Sequence, residues 1–294
     1  FMPDSDNPAG DSITSYIEKS RRGETDSAGR KSIDVYEKPD SRYFILHLSS
    51  PTEYLNGRES LIKSGFVYDA KKDISKEPSM LFQKENVSIE STREMKDSVT
   101  QYTFKLRERK IPDSIAYAED LLQFDSHEFL LSYFGKKNVI KDMYYFSEKD
   151  LKKCSVLFEG TNYRAVFVWG DENNLNNLSY ILVSNVVHTK GEERTGMPEG
   201  NNEWGFHSGI HLGMPVKDIL RLNEMDFYMY GSKSDLAFMV KPEITGKINF
   251  KKTAIMFNCN NCFDNEIFNQ DEVSALDVAK ANLPLTIFTI IIYP

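Results

Sequence analysis

The sequence predicts an α+β fold, largely antiparallel sheet with a few short helices, and three observations lead there. Apolar runs of strand length outnumber helical patterns. They follow one another in meander-like order, without strict strand–helix alternation. Aromatic residues, which favour half-buried sheet surfaces, are abundant, with 19 Phe and 15 Tyr among 294 residues.

Residues 1–33 are rich in Asp, Ser, Gly, Arg and Glu and hold few large apolar side chains. Such a segment buries too little surface to offset its ordering entropy. It reads as a flexible polar lead-in, with at most one helical turn around Ile13, Tyr16 and Ile17. Residues 34–110 read as an N-terminal α+β segment or small domain. Within it, the apolar run 43–48, bounded by Ser and Pro, predicts a strand. Residues 51–63 predict a short helix stopped at Ser64-Gly65. Strands are expected at 80–90 and 99–107. In the second, Val99, Gln101, Thr103 and Lys105 share one face by parity, and Tyr102, Phe104 and Leu106 share the other, the alternation of a sheet with one wet face.

Residues 111–294 read as a second α+β domain. Its helix at 126–134 is capped by Asp125 or Ser126, carries Glu128 in its first turn and stops at Gly135. Strands are expected at 143–146, 155–159, 164–169 and 180–187, separated by turn chemistry such as Glu159-Gly160-Thr161-Asn162. Residues 189–205, rich in Gly, Glu and Asn, predict the longest loop. A helix at 215–223 has Pro215 at its first position and Val216, Ile219 and Leu220 on one face. Short strands at 226–230, 236–240 and 254–257, a helix near 271–282 and a final strand at 285–293 complete the chain. Residues 126–146 and 215–230 share a helix-plus-aromatic-strand order. They read either as a duplicated module or as two instances of a succession common in α+β proteins.

Charge narrows the partners. The chain carries 36 basic and 44 acidic residues, a net charge of −8 with His neutral, whereas duplex binding needs clustered Lys and Arg to displace counterions. The basic cluster Lys105-Leu106-Arg107-Glu108-Arg109-Lys110 is interrupted by acid, so nucleic acid is not the expected partner. No apolar run reaches the ~18–20 residues that span a bilayer. The most apolar stretch, 283–293, reads as a buried strand.

Residues 204–219, Trp204-Gly205-Phe206-His207-Ser208-Gly209-Ile210-His211-Leu212-Gly213-Met214-Pro215 and onward into a helix, carry a Gly-Ile-x-Leu-Gly-Met core. With Asn223, Phe227-Tyr228 and the upstream Tyr144-Tyr145-Phe146, Val156 to Thr161 and Val166 to Glu172, this core resembles uncharacterised exported or lipoprotein-like proteins of Gram-negative bacteria. The Leu-Gly-Met-helix element alone is similar to the small repeat of outer-membrane-assembly lipoproteins and β-lactamase-inhibitor proteins. The likeness covers residues 125–240 and departs after Tyr230, where Ser232-Lys233-Ser234-Asp235 replaces a glycine-rich aromatic stretch. It implies a periplasmic or lipid-tethered location and action through another protein, with no catalytic residues and no cofactor. The polar lead-in suits a chain held by a lipid tether at the N-terminus of its precursor. In physical terms, Gly213 permits a close or left-handed passage into the helix, with Trp204, Ile210 and Leu212 packed beneath. Trp204 is also a candidate contact residue, since Trp and Tyr dominate interface hot spots.

Other constellations were weighed for chemistry. Cys259 and Cys262, spaced C-x-x-C after an apolar strand, read as a disulfide, as plain thiols or as a redox pair. As half of a zinc site they would need Cys154 and a His to converge on them. Glu203, His207 and His211 fall at helical ligand spacing, but Gly205 and Gly209 oppose a helix, and paired surface histidines are the plainer reading. There is no Gly-x-Ser-x-Gly elbow, phosphate-binding glycine loop or dinucleotide turn. The acids Asp171, Glu172, Glu192, Glu193 and Glu203 define no catalytic pair. The leading expectation is therefore a non-catalytic exported protein working by protein contacts. The alternatives are an enzyme assembled from distant segments, as a hydrolase or as a Cys259/Cys262 oxidoreductase, and a cytosolic immunity or inhibitor protein whose acidity suits a basic toxin.

Overall fold

A computed structural model describes residues 12–17, 32–39, 41–147, 150–185, 202–243, 246–259, 262 and 265–294. The fold is α+β with antiparallel sheets and a few short helices. The chain divides into two compact units, Phe1–Pro112 with Leu131–Tyr133, and Asp113–Leu130 with Phe134–Pro294.

The first unit contains β1 (Ser12–Ile17), β2 (Ser32–Lys38), β3 (Ser41–Leu48), α1 (Pro51–Lys63), β4 (Ser79–Lys84), β5 (Val87–Lys96) and β6 (Val99–Arg109). Its six strands pair antiparallel in the order β1-β2-β3-β6-β5-β4. The parity read from the sequence of β6 sets its faces. Tyr102 and Phe104 are buried, while Val99, Gln101 and Lys105 are exposed. The buried face gathers Leu48, Met80, Phe82 and Ile89 beneath Tyr54 of α1, with Leu61 and Ile62 packed against them. Ser50 caps α1 by accepting from the Glu53 amide at 3.3 Å, the role short polar side chains serve at N-caps.

Two expectations fail in this unit. Ile13, Tyr16 and Ile17 belong to strand β1, because pairing with β2 satisfies a backbone that no isolated turn would. The single strand expected at 80–90 is a hairpin, β4 turning into β5 at Glu85-Asn86, where Glu85 takes a positive φ of 53°.

The unit also buries Arg58 completely. Its guanidinium donates to Ser91 Oγ at 2.9 Å, to the carbonyls of Ile74 (2.6 Å) and Glu77 (2.9 Å), and to the Tyr54 hydroxyl. Burial pushes the guanidinium's pKa down, opposed by its contact with Tyr54. One side chain thereby ties α1, the 74–77 turn and β5 together, as the fork of five donors allows.

The second unit contains α2 (His127–Phe134, apart from Leu131–Tyr133), β7 (Val139–Ser147), β8 (Asp150–Leu157), β9 (Ala165–Asp171), β10 (Asn176–Ser184), α3 (Val216–Asn223), β11 (Tyr228–Tyr230), β12 (Thr253–Asn258), β13 (Glu272–Ser274), α4 (Ala275–Lys280) and β14 (Thr286–Ile292). Six strands form an antiparallel sheet in the order β12-β14-β10-β9-β8-β7, and β11 and β13 form a separate two-stranded sheet. One sheet face holds the buried row Cys154, Val156, Val166, Val168 and Leu182. By register the other face aligns Ser155, Phe167, Ile181 and Ile292.

Ser126, of the two candidate caps, serves α2 by accepting from the Phe129 amide at 3.3 Å. Pro215 is the N-cap of α3 and not its first residue. The segment expected as strand 236–240 makes bridges from Val240 to Met229 and from Met239 to Met256 without forming a strand. The helix expected at 271–282 opens instead as β13 and becomes helical at Ala275, because Ser274 caps it at the Asp277 amide. Both helix-then-strand successions exist. However, β7 is a nine-residue outer strand of the large sheet, whereas β11 has three residues in the small one. Most of the loop expected at 189–205, up to residue 201, lies outside the described residues.

Candidate functional site

The Gly-Ile-x-Leu-Gly-Met segment is a structural strap across the second unit. Ile210 and Leu212 are buried. Gly213 adopts φ +80°, and its amide donates to the Ile287 carbonyl at 2.8 Å, while Ile287 donates back to Met214 at 2.9 Å. A side chain at Gly213 would meet nothing within 4 Å. The left-handed backbone, and not crowding, is what demands glycine there.

Trp204 is only 5% exposed and is no contact residue. Its indole Nε1 donates to the Tyr163 carbonyl at 2.8 Å, and its ring meets that of Tyr163 edge-on, with centroids 5.6 Å apart. The exposed aromatic is Tyr163 itself, at 45%. Asn162 Nδ2 donates to Glu203 Oε1 at 2.9 Å, and the Glu203 amide donates to the Asn162 carbonyl at 2.7 Å. Hydrogen bonds from Asn162 and from the Tyr163 hydroxyl hold the Glu203 carboxyl below the usual range, and the same bond to Glu203 raises the Tyr163 phenol.

On the other side of the strap, the Gly205 carbonyl accepts from the Ala118 amide at 2.9 Å. Here Tyr117, 41% exposed, lies against the His207 ring with centroids 4.1 Å apart. The His207 amide donates to the Glu119 carboxylate at 3.2 Å, and His207 Nε2 lies 3.4 Å from Asp120 Oδ1. Burial opposes the ionisation of Asp120. Amide donors from Tyr117 and Ala116, each at 2.9 Å, together with His207, nevertheless bring its pKa below normal. Tyr163 thus packs on Trp204 with Glu203 beside it, and Tyr117 packs on His207 with Glu119 and Asp120 beside it. Each of these carboxylates is held by a donor from the same surface.

The other sequence candidates resolve differently. Cys259 and Cys262 form a disulfide, with 2% and 6% exposure. Cys154 is a free, buried thiol whose pKa burial pushes up to about 12, which keeps it protonated. His211 Nδ1 is engaged with the Leu212 carbonyl at 2.9 Å. Among the described residues no group of three or more His, Cys, Asp and Glu can hold a metal ion. Neither the zinc set nor the Glu203/His207/His211 set is assembled.

Sequence reading missed one polar cluster. His127 Nδ1 lies 2.8 Å from Ser155 Oγ, which also accepts from Trp169 Nε1 at 2.9 Å. The 28 residues between His127 and Ser155 leave no motif to find. A Ser–His pair can activate a nucleophile, but this Ser is fully buried in the sheet, where no substrate reaches it. Two shallow depressions are also present. One, of about 290 Å³, is lined by Tyr230, Lys241, Asp271 and Glu272, with Lys241 paired to Glu272. The other, of about 450 Å³, lies at the β3–β6 end of the first sheet beside Arg42, Asn86 and Lys110. Neither gathers a nucleophile, base and anion-stabilising donors in one place. Among the described residues no helix is long and apolar enough to cross a membrane.

No protein-family model, curated protein or solved structure matches this chain.

Proposed function

We propose that this protein is a non-catalytic component of the cell envelope, periplasmic or lipid-tethered, that works by binding another protein through the Tyr117–Tyr163 surface. The observation that carries the reading is the pair of exposed, pre-positioned tyrosines. Each ring is braced by a neighbour, Trp204 under Tyr163 and His207 against Tyr117. Rigid aromatic side chains lose little conformational entropy on binding and dominate interface hot spots. The Cys259–Cys262 disulfide supports the envelope location, since such bonds persist in oxidising compartments and are rare in the cytosol. It also weakens the oxidoreductase alternative, because both sulfurs sit in nearly fully buried residues and a redox pair must be reached by a thiolate.

The carboxylates Glu119, Asp120 and Glu203 around the tyrosines suit a partner with basic side chains. That chemistry serves the alternative of a cytosolic inhibitor of a basic toxin equally well. One experiment separates them. The full-length gene product, tagged at its C-terminus, is expressed in its own host, the cells are fractionated, and co-purifying proteins are identified by mass spectrometry. An envelope fraction with a stoichiometric partner that is lost from Tyr117→Ala and Tyr163→Ala is the expected result. A cytosolic fraction with a partner moves the protein to the inhibitor reading. A cytosolic protein recovered alone overturns both.

A further inference from the structure

The buried trio at the start of α2 takes no part in the Tyr117–Tyr163 surface, and its proton positions follow from donor chemistry. Trp169 Nε1 is a donor only, so Ser155 Oγ accepts from it. The hydroxyl hydrogen is then left for its other neighbour, His127 Nδ1. Assigning that nitrogen as the acceptor gives the Ser155 hydrogen its one available partner, which puts the neutral ring's own proton on Nε2. All three residues are buried.

We propose that His127 is an acid-sensitive latch: a neutral ring holds the first turn of α2 against the sheet of the second unit, and protonation of Nδ1 releases it. A proton there sets an N–H against the Ser155 O–H inside the protein. Ser155 would have to turn its hydrogen away, and among the described residues its oxygen has no bond beyond these two. A buried charge without a partner costs several kcal/mol in general, and groups so placed lose the charge instead.

The charged groups on the surrounding elements offer no rescue. Lys141 of β7 is the register partner of Ser155 and repels an imidazolium. Lys153, two residues along β8, adds no negative charge, and the neighbouring β9 positions Phe167 and Trp169 are uncharged. Asp171, at the end of β9, is engaged with the amides of Asn173 and Asn174. Asp125, two residues before His127, is not among the groups acting on the imidazole, which are burial and Lys141. Burial raises the pKa of the Glu128 carboxyl, opposed by Lys141 and Lys136, and Glu128 is not among the groups acting on the His127 ring. The positive end of the helix dipole opposes a cation at its first residue. Burial foremost, then Lys141, brings the His127 imidazole down to about 4.

An ordinary imidazole near 6.5 in the released state against about 4 in the latched state makes the opening equilibrium rise roughly 30-fold between pH 7.5 and pH 5. Hydrogen exchange on the full chain, resolved by peptide and corrected for the intrinsic pH dependence of the amides, reads this directly. Protection of residues 131–134 is expected to fall roughly 30-fold over that range, while that of β9 changes little. His127→Gln, neutral at every pH, loses the dependence, and His47→Gln in the first unit keeps it. NMR titration of the His127 ring in the unsubstituted chain gives a readout that needs no variant to fold, and its midpoint is expected well below 6.5. A ring that titrates at its ordinary value with α2 protection unchanged overturns the latch. So does an equal acid loss of protection in His127→Gln.

Discussion

At Arg58 a single side chain decides whether the first unit holds together. It is fully buried and has no carboxylate bonded to it among the described residues. It is satisfied instead by the carbonyls of Ile74, Glu77 and Ser91 and by the hydroxyls of Ser91 and Tyr54. Arg58→Met keeps the length of the stem but leaves the Ile74 and Glu77 carbonyls and Ser91 without their donor. Each unsatisfied buried group costs about 1–3 kcal/mol, so the variant is expected to lose on the order of 3 kcal/mol, read as a lower urea midpoint. Tyr54→Phe, which removes one acceptor and leaves the others, should lose about 1 kcal/mol in the same measurement. Nothing in the local sequence announces this arginine. It sits in a helix among Asn, Gly, Glu and Ser, as a surface residue would, and its partners lie up to 33 positions away. Trp204 is the reverse case. The sequence marked it for notice, and only its neighbour Tyr163 reaches solvent, because the indole is used to hold that ring in place. A tyrosine at a binding hot spot typically contributes about 2 kcal/mol, so Tyr163→Ala should weaken a partner's binding roughly 30-fold in titration calorimetry without moving the thermal midpoint by more than a few degrees.

Among the elements, the small β11–β13 sheet depends on how closely two backbones approach. A Cβ placed at Gly231 would lie 1.7 Å from the Gln270 carbonyl oxygen, a clash with backbone that no rotamer relieves. Gly231→Ala is therefore expected to open this sheet and destabilise the protein by more than the ~1–3 kcal/mol of ordinary overpacking, visible as early exchange of the β11 amides. The Cys259–Cys262 disulfide stands just past β12 and closes a loop of only four residues. Chain-entropy reasoning assigns so short a loop about 2 kcal/mol. The paired Cys259→Ala and Cys262→Ala variant should lower stability by that amount under oxidising conditions and match the reduced wild type. β6 and α2 were legible because a period of two and a serine cap with a following glycine are local signals. β4 and β5 were fused into one strand because Glu85-Asn86 is weak turn chemistry. The 236–240 segment resembled a strand in composition yet makes only isolated bridges.

The whole molecule carries a pH dependence whose sign follows from His127. Its folded pKa is depressed to about 4, below the ordinary value near 6.5, so the unfolded chain takes the proton first. Stability is complete above about pH 6.5, declines as pH falls and levels off below about pH 4, a loss on the order of 3 kcal/mol. Urea midpoints measured from pH 7.5 to pH 4 should fall along that curve, and His127→Gln should flatten it. Asp120, held below the normal carboxylate range, contributes a smaller loss of the same sign at more acid pH.

The sequence by itself determined the α+β class, the parity of β6, a cap for α2 at Asp125 or Ser126, and the left-handed or close backbone passage at Gly213. Each rests on a periodicity or a backbone preference that lives within a few residues. It also placed Trp204, Ile210, Leu212 and Gly213 of the strap in one segment, without marking either tyrosine that meets it. Only the tertiary structure decided that Trp204 lies inside and that Tyr117 and Tyr163 lie outside. The buried Arg58, the Ser155–His127 bond and the close approach at Gly231 were likewise settled only there. In each case the partners are brought together by strand pairing and packing across tens of residues. The free energy of such a contact depends on which groups are excluded from water together, and no local pattern encodes that.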